Sequence, residues 1–136
     1  MVYMKHSSKY TSAFTLVEIM VVVAIIALLA SIAVPNFLRA RKRSQATRIL
    51  EDLRVIDTAL DQYAIETNKG GGANANWTDI QNYLKKGSVL YSSGGMDLFG
   101  ALYIGFSVDT IPKLRSTTFQ KLSDVAPSDF WVPYYP

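Results

Sequence analysis

The sequence predicts an α+β protein in which one long N-terminal α-helix packs against a small antiparallel β-sheet head. Residues 14–38 are almost uninterruptedly apolar, and apolar residues then recur at helical spacing as far as Thr67. The remainder contains glycine clusters and short segments of alternating character, which indicate turns and strands. We therefore divide the chain into a short leading segment (1–13), an apolar half-helix (14–38), an amphipathic half-helix (39–67) and a globular head (68–136).

The apolar half-helix is long enough to cross a lipid bilayer. Between Ile19 and Val34 its only polar residue is Ser31. The run from Phe14 to Leu38 exceeds the roughly 20 residues that ~30 Å of hydrocarbon requires. Pro35 has no N–H to donate to the carbonyl of Ser31, so we expect a kink there.

Glu18 lies close to the beginning of this apolar run. An ionised carboxylate at bilayer depth costs roughly 2.5 to 3.5 kcal/mol even on lenient insertion scales. The residue therefore needs either a partner or a position near the headgroups. We expect no local structural role for it, which favours a partner from outside the chain.

The amphipathic half-helix is predicted to turn one apolar face towards the head. Its apolar positions recur every three or four residues. They are Ala46, Ile49, Leu50, Leu53, Ile56, Leu60, Tyr63 and Ala64.

The head is predicted to contain several short elements. Glycines 70–72 end the long helix, and a short helix follows between a cap at Asn76 and a stop at Gly87. Ala101–Val108 alternates as a strand does, and Val89–Tyr91 is a candidate second strand. Ser116–Leu122 is expected to be a helical turn, and the aromatic tail 129–136 is expected to pack within the head.

The segment Ala13-Phe14-Thr15-Leu16-Val17-Glu18, followed by the apolar run and Pro35, resembles the N-terminal region of type IV pilins and type II secretion pseudopilins. A short basic leader with Lys5, His6 and Lys9 precedes it. The family usually has Gly before the cleaved bond, and this chain has Ala13 instead, which keeps a small residue there.

The resemblance implies processing and assembly. A prepilin peptidase would cleave before Phe14 and methylate the new amine, and Glu18 would pair with the Phe14 ammonium of a neighbouring subunit. The implied partners are further copies of the chain, other pilin-like subunits, the peptidase, the membrane and an inner-membrane assembly platform. The implied location is the bacterial inner membrane, crossed once with the head outside the cytoplasm, and then a periplasmic or cell-surface filament.

A second, weaker resemblance lies in the head. The segment 97–103 is similar to a motif of major secretion pseudopilins, with Asp97, Gly100 and Tyr103 matching. Those proteins often bind calcium in a following loop, but Asp109, Asp124 and Asp129 have a spacing that fits no calcium loop. We therefore assign no metal ligands and no cofactor, and calcium stays an alternative.

Composition excludes several function classes. The chain has no cysteine and a single histidine, His6, and no nucleophile–base pair or phosphate loop is present, so we do not expect an enzyme. Without residues 1–13 the formal charge of +3 loses Lys5 and Lys9 and becomes +1, which gives no reason to expect nucleic-acid binding.

The sequence leaves alternatives open. Ser31-Ile32-Ala33 before Val34 satisfies the cleavage rule of an ordinary signal peptide, although the apolar run is longer than the usual h-region of about 7 to 15 residues. An uncleaved anchor carrying a ligand-binding head is another class. Within the family, a pseudopilin is favoured over a true or minor type IV pilin.

The basic cluster 39–43 opposes a head outside the cytoplasm, because positive charge usually stays on the cytoplasmic side of a membrane span. We interpret the cluster as a solvated face, a contact with anionic lipid or a contact with neighbouring subunits.

Overall fold

The computed structural model describes residues 13–136; the predicted leader lies outside the described residues except for Ala13. The chain forms two compact units that divide between Phe37 and Leu38. Helix α1, Leu16–Thr67, contributes residues to both units. It begins two residues later than predicted, and it ends at the predicted residue.

The apolar half of α1 is exposed along its length. An 18-residue window of this half is strongly apolar, and none of its residues is buried. Among the described residues, α1 is the one helix that is long and apolar enough to cross a membrane. The assigned helix continues through Pro35, so the predicted kink stays a prediction.

The second half of α1 supplies the main face of the head's core. Seven of the predicted apolar positions are buried, Ala64 is partly buried, and Ala59 joins them. The buried residues of α1 are Ala46, Ile49, Leu50, Leu53, Ile56, Ala59, Leu60 and Tyr63. The amphipathic pattern therefore identified the face that packs.

The rest of the head consists of short helices joined by turns. Helix α2 is Trp77–Ile80, and a 3-10 helix at Gln81–Tyr83 extends it. Helix α3 is Val89–Ser92, helix α4 is Ser116–Leu122, and a final 3-10 helix is Ser128–Trp131. The predicted short helix after Asn76 and the predicted helical turn at Ser116–Leu122 are thus present.

The predicted antiparallel sheet is not formed in residues 13–136, which contain three isolated antiparallel bridges and no strand. The segment Ala101–Val108 contains Gly105 with φ +78, and Asp109 follows with φ +59. These left-handed residues turn the chain, so pairing extends over only a few residues. The Val108 N–H donates to the Ala73 carbonyl at 2.9 Å, and the Ala75 N–H donates to the Phe106 carbonyl at 3.1 Å.

The second predicted strand, Val89–Tyr91, is wrong as well, because these residues form α3. The Ser88 side chain accepts a hydrogen bond from the Tyr91 N–H at 3.2 Å, which is the arrangement of a helix N-cap. A run of three apolar residues is too short to distinguish a strand from one helical turn.

The aromatic tail packs inside the head, as predicted. Trp131 is fully buried, and its indole N–H donates to the Ala126 carbonyl at 3.0 Å. The Leu114 N–H donates to the Tyr134 carbonyl at 2.8 Å. The tail therefore joins the loop before α4 to the core.

The burial pattern predicts that the head folds without the apolar half-helix. A fragment of residues 44–136 keeps every buried position of α1, and the contacts that it loses, such as the Lys42–Asp124 ion pair and the hydrogen bond from the Thr47 hydroxyl to the Arg43 carbonyl, are exposed. We expect it to be soluble, monomeric in gel filtration and cooperative in thermal unfolding followed by circular dichroism. A matched fragment of residues 68–136, which lacks the packing face, should not fold. Tight self-association of the 44–136 fragment would contradict the prediction.

Candidate functional site

The first candidate site is the beginning of α1. Ala13 and Phe14 precede the helix in exposed, non-helical backbone, and Phe14 is 84% exposed. The bond between them is thus accessible from solvent. Because α1 begins at Leu16, Phe14 and Glu18 do not share a helical face in the uncleaved chain.

Thr15 and Glu18 form a reciprocal pair at the helix N-terminus. The Thr15 N–H donates to Glu18 Oε2 at 2.7 Å, and the Glu18 N–H donates to Thr15 Oγ1 at 3.3 Å. This is a capping box, which satisfies two of the N–H groups that a helix leaves without partners. The expectation that Glu18 has no local structural role was therefore wrong. The pattern Thr-x-x-Glu directly before an apolar run is the sequence signal that identifies such a box.

The second candidate site is the loop that contains Asp97, Gly100 and Tyr103. Asp97 is 7% exposed, and its Oδ1 accepts hydrogen bonds from the N–H groups of Phe99 at 2.8 Å and Ala101 at 2.9 Å. Its Oδ2 accepts a hydrogen bond from the hydroxyl of Thr118, in α4, at 2.5 Å. One buried carboxylate therefore shapes the loop and joins it to α4.

Gly100 and Tyr103 complete this loop. Gly100 has φ +77, a conformation that glycine adopts without strain, and its N–H donates to the Asp97 carbonyl at 3.0 Å. Tyr103 is buried, and its hydroxyl lies 3.4 Å from Asp52 Oδ2 on α1, in position to donate to it. The structure thus brings the three motif residues into one loop that contacts the long helix.

Two further tyrosines contact carboxylates of α1. The Tyr134 hydroxyl donates to Asp57 at 3.2 Å, and the Tyr83 hydroxyl donates to Glu66 at 2.9 Å. Burial raises the pKa of Asp52 and of Asp57 above the usual value. Burial also raises the pKa of Tyr103, so its hydroxyl stays protonated as a donor. Sequence analysis missed these pairs, since the partners are far apart in the chain.

Asp109, Asp124 and Asp129, the acidic residues of the head that the sequence analysis considered, do not form a metal centre in the described part of the chain. Within residues 13–136 no three His, Asp or Glu side chains are placed to hold one metal ion together. Asp124 instead pairs with Lys42, whose Nζ lies 2.7 Å from its Oδ2, and this hydrogen bond lowers the pKa of Asp124. The carboxylate oxygens of Asp97 are occupied by the protein's own donors. The arrangement serves to hold the head together.

Comparison with known proteins finds a family model and several curated relatives. Residues 8–34 match the family model described as the prokaryotic N-terminal methylation motif. The chain is 36% identical over 58 residues to the type II secretion system core protein G of Aeromonas hydrophila, covering 43% of this chain and 41% of that protein. It is 38% identical over 65 residues to protein G of Vibrio cholerae, covering 48% and 44%.

A type IV major fimbrial protein is similar to a comparable degree. FimA of Dichelobacter nodosus is 35% identical over 81 residues, covering 60% of this chain and 46% of that protein. The chain thus spans less than half the length of these curated relatives. No solved structure matches it significantly. Over part of its length the chain is therefore similar to type II secretion system core protein G and to a type IV major fimbrial protein, and residues 8–34 match the prokaryotic N-terminal methylation motif.

Proposed function

We propose that the chain is a structural subunit of a pilus-like filament, cleaved before Phe14 and polymerised through its N-terminal helix. The observation that carries the proposal is the methylation motif at 8–34 joined to an exposed apolar helix that begins with a carboxylate. Such a helix has no partner within residues 13–136 and gains one when copies bundle. The named relatives are a secretion core protein and a fimbrial protein.

The proposed life of the subunit has two stages. The helix first anchors the chain in the inner membrane, with the head outside the cytoplasm, where a prepilin peptidase and an assembly platform act on it. The subunit then enters a filament of identical and related subunits. Within the family we favour a secretion pseudopilin over a true or minor type IV pilin, because the head contains the Asp97 loop and residues 68–136 have no cysteine. We propose no catalytic activity.

Glu18 is proposed to act twice. In the single chain its carboxylate caps α1 through the Thr15 N–H. In the filament it would accept the Phe14 ammonium of a neighbour, which neutralises two charges that would otherwise be desolvated. A backbone N–H satisfies a lone pair of the carboxylate but leaves its charge, so the cap alone does not remove the need for a cation.

The processing step gives a direct test. The mature protein should begin at an N-methylated Phe14, because the small residue Ala13 and the exposed, non-helical backbone suit cleavage there. Ala13→Leu should leave precursor in the membrane, and Ala13→Gly, the matched control, should be processed at least as well as wild type. N-terminal sequencing and intact mass measure both. A natural N-terminus at Val34 would instead indicate an ordinary signal peptide.

Assembly tests the charge of Glu18 separately from its cap. Glu18→Gln keeps an oxygen for the Thr15 N–H but loses the charge, whereas Thr15→Val removes only the hydroxyl that accepts from the Glu18 N–H. Losing one partner of a buried pair costs about 3 to 5 kcal/mol. We expect Glu18→Gln and Glu18→Ala to be inserted and cleaved but incorporated at least about 100-fold less than wild type in sheared mixed filaments.

Thr15→Val should enter those filaments almost normally. The reverse result, with Thr15→Val excluded and Glu18→Gln incorporated, would show that Glu18 matters for assembly through the helix cap and not through its charge. Equal incorporation of all variants would place Glu18 in the headgroup zone without a role in assembly.

The Asp97 loop gives a test of head stability. Asp97→Ala leaves two backbone N–H groups and the Thr118 hydroxyl without their acceptor, and unsatisfied buried groups cost about 1 to 3 kcal/mol each. We expect the free energy of unfolding of the head to fall by roughly 3 kcal/mol or more in urea titrations. Asp97→Asn, which keeps one oxygen for the two N–H groups, should lose less. Equal losses for both variants would show that the charge, and not the acceptor geometry, is what the loop requires.

A further inference from the structure

We propose that Arg39 and Arg43 form a binding site for the phosphate of an anionic phospholipid headgroup. The two arginines are four residues apart on α1 and line one groove of about 260 Å³ together with Ala40, Asp124 and Val125. Side chains at this spacing lie on one side of a helix, so both guanidinium groups reach the same space. We call this groove, defined by those five residues, the arginine groove.

The charge of the arginine groove is positive. Its one carboxylate, Asp124, is already paired with Lys42 at 2.7 Å. Of the ion pairs formed among residues 13–136, none includes Arg39 or Arg43. Three cations thus surround one carboxylate, and both arginines keep their donors for an external anion. Guanidinium groups bind phosphate oxygens through two parallel N–H donors, which makes a phosphodiester a suitable ligand.

The position of the arginine groove in the chain selects a lipid as the source of that phosphate. This step rests on the proposed membrane-anchored stage. Ile19–Leu38 is a run of 20 residues, which at ~1.5 Å per residue matches the ~30 Å hydrocarbon layer. Arg39 directly follows that run, so it enters the headgroup layer whichever side of the membrane the head occupies. Basic residues next to a membrane span are attracted to anionic lipids.

Asp124 is expected to limit the affinity of the arginine groove. Its carboxylate engages Lys42, which otherwise adds a third donor to the groove. Asp124→Asn therefore releases Lys42 and should strengthen lipid binding, whereas removal of Arg39 and Arg43 should weaken it. A site made of these residues predicts both changes.

The experiment uses the full chain in nanodiscs of phosphatidylcholine with or without phosphatidylglycerol, and native mass spectrometry counts the lipids retained after release. The wild-type chain should retain phosphatidylglycerol in preference to phosphatidylcholine. Arg39→Gln with Arg43→Gln should lower that preference by roughly fivefold for each arginine. Lys85→Gln with Lys86→Gln is the matched control, since it removes the same charge from exposed positions that do not line the groove. Asp124→Asn should raise the preference, and Asp129→Asn should not.

Several results would overturn the inference. Equal losses in the arginine and lysine double variants would show that only net charge attracts the lipid. Displacement of the lipid by inorganic phosphate would assign the groove to a free anion. Dimers that form in phosphatidylcholine alone and depend on Arg39 and Arg43 would assign it to a second copy of the chain. A wild-type chain that does not insert into vesicles in flotation would instead overturn the membrane-anchored stage itself, which separates the two failures.

Discussion

The apolar face of α1 between Ala46 and Tyr63 is the constraint on which the head depends. The described part of the head contains no strand, and the chain has no cysteine. Its other α-helices are between four and seven residues long, too short to be stable alone. Such elements persist only because the head buries its side chains in one hydrophobic core, to which α1 contributes a long, preformed surface. A helix that continues from an apolar segment supplies that surface.

Hydrogen bonds from tyrosine hydroxyls fix where two segments of the head meet the apolar face of α1. Tyr103 and Tyr134 reach Asp52 and Asp57 from distant parts of the chain, and each donates a hydroxyl hydrogen to a partly buried carboxylate. Apolar burial has no directional preference, so contacts of this kind decide the register in which loops settle. Gly95 shows the same precision in packing, because a Cβ there would lie 2.7 Å from the ring of Trp77.

Sequence patterns predicted the elements that are long or repeat. The apolar run and the three- and four-residue spacing located α1 and its buried face almost residue by residue. The head's sheet was not predictable in this way, because the alternation in Ala101–Val108 gives no sign that Gly105 adopts a positive φ. The residues Val89–Tyr91 form a helix because Ser88 caps them, and three residues carry too little periodicity to indicate this.

In the candidate sites too, local sequence patterns were predictive and contacts between distant residues were not. Asp97, Gly100 and Tyr103 were selected by resemblance, and the structure gives them a common loop. Their partners on other elements, Thr118 and Asp52, could not be found from sequence, because their separation along the chain leaves no local pattern. The Thr15–Glu18 capping box follows a local sequence pattern, so it was predictable. The prediction was not made, because the Glu18 carboxylate was interpreted only through its cost in the membrane.

The capping box also changes how the cost of Glu18 is understood. The Thr15 N–H gives the Glu18 carboxylate a hydrogen-bond donor from its own chain, and a carboxylate at bilayer depth requires such a partner. Under the proposed function, this donor eases the placement of Glu18 near the membrane surface in a single chain, while the charge of the carboxylate still lacks a cation. The carboxylate has two oxygens, and the Thr15 N–H is bonded to one of them. The cap thus holds the side chain in position with acceptor capacity left, so in the filament that we propose a neighbour's ammonium would meet a preorganised anion, at a smaller ordering cost.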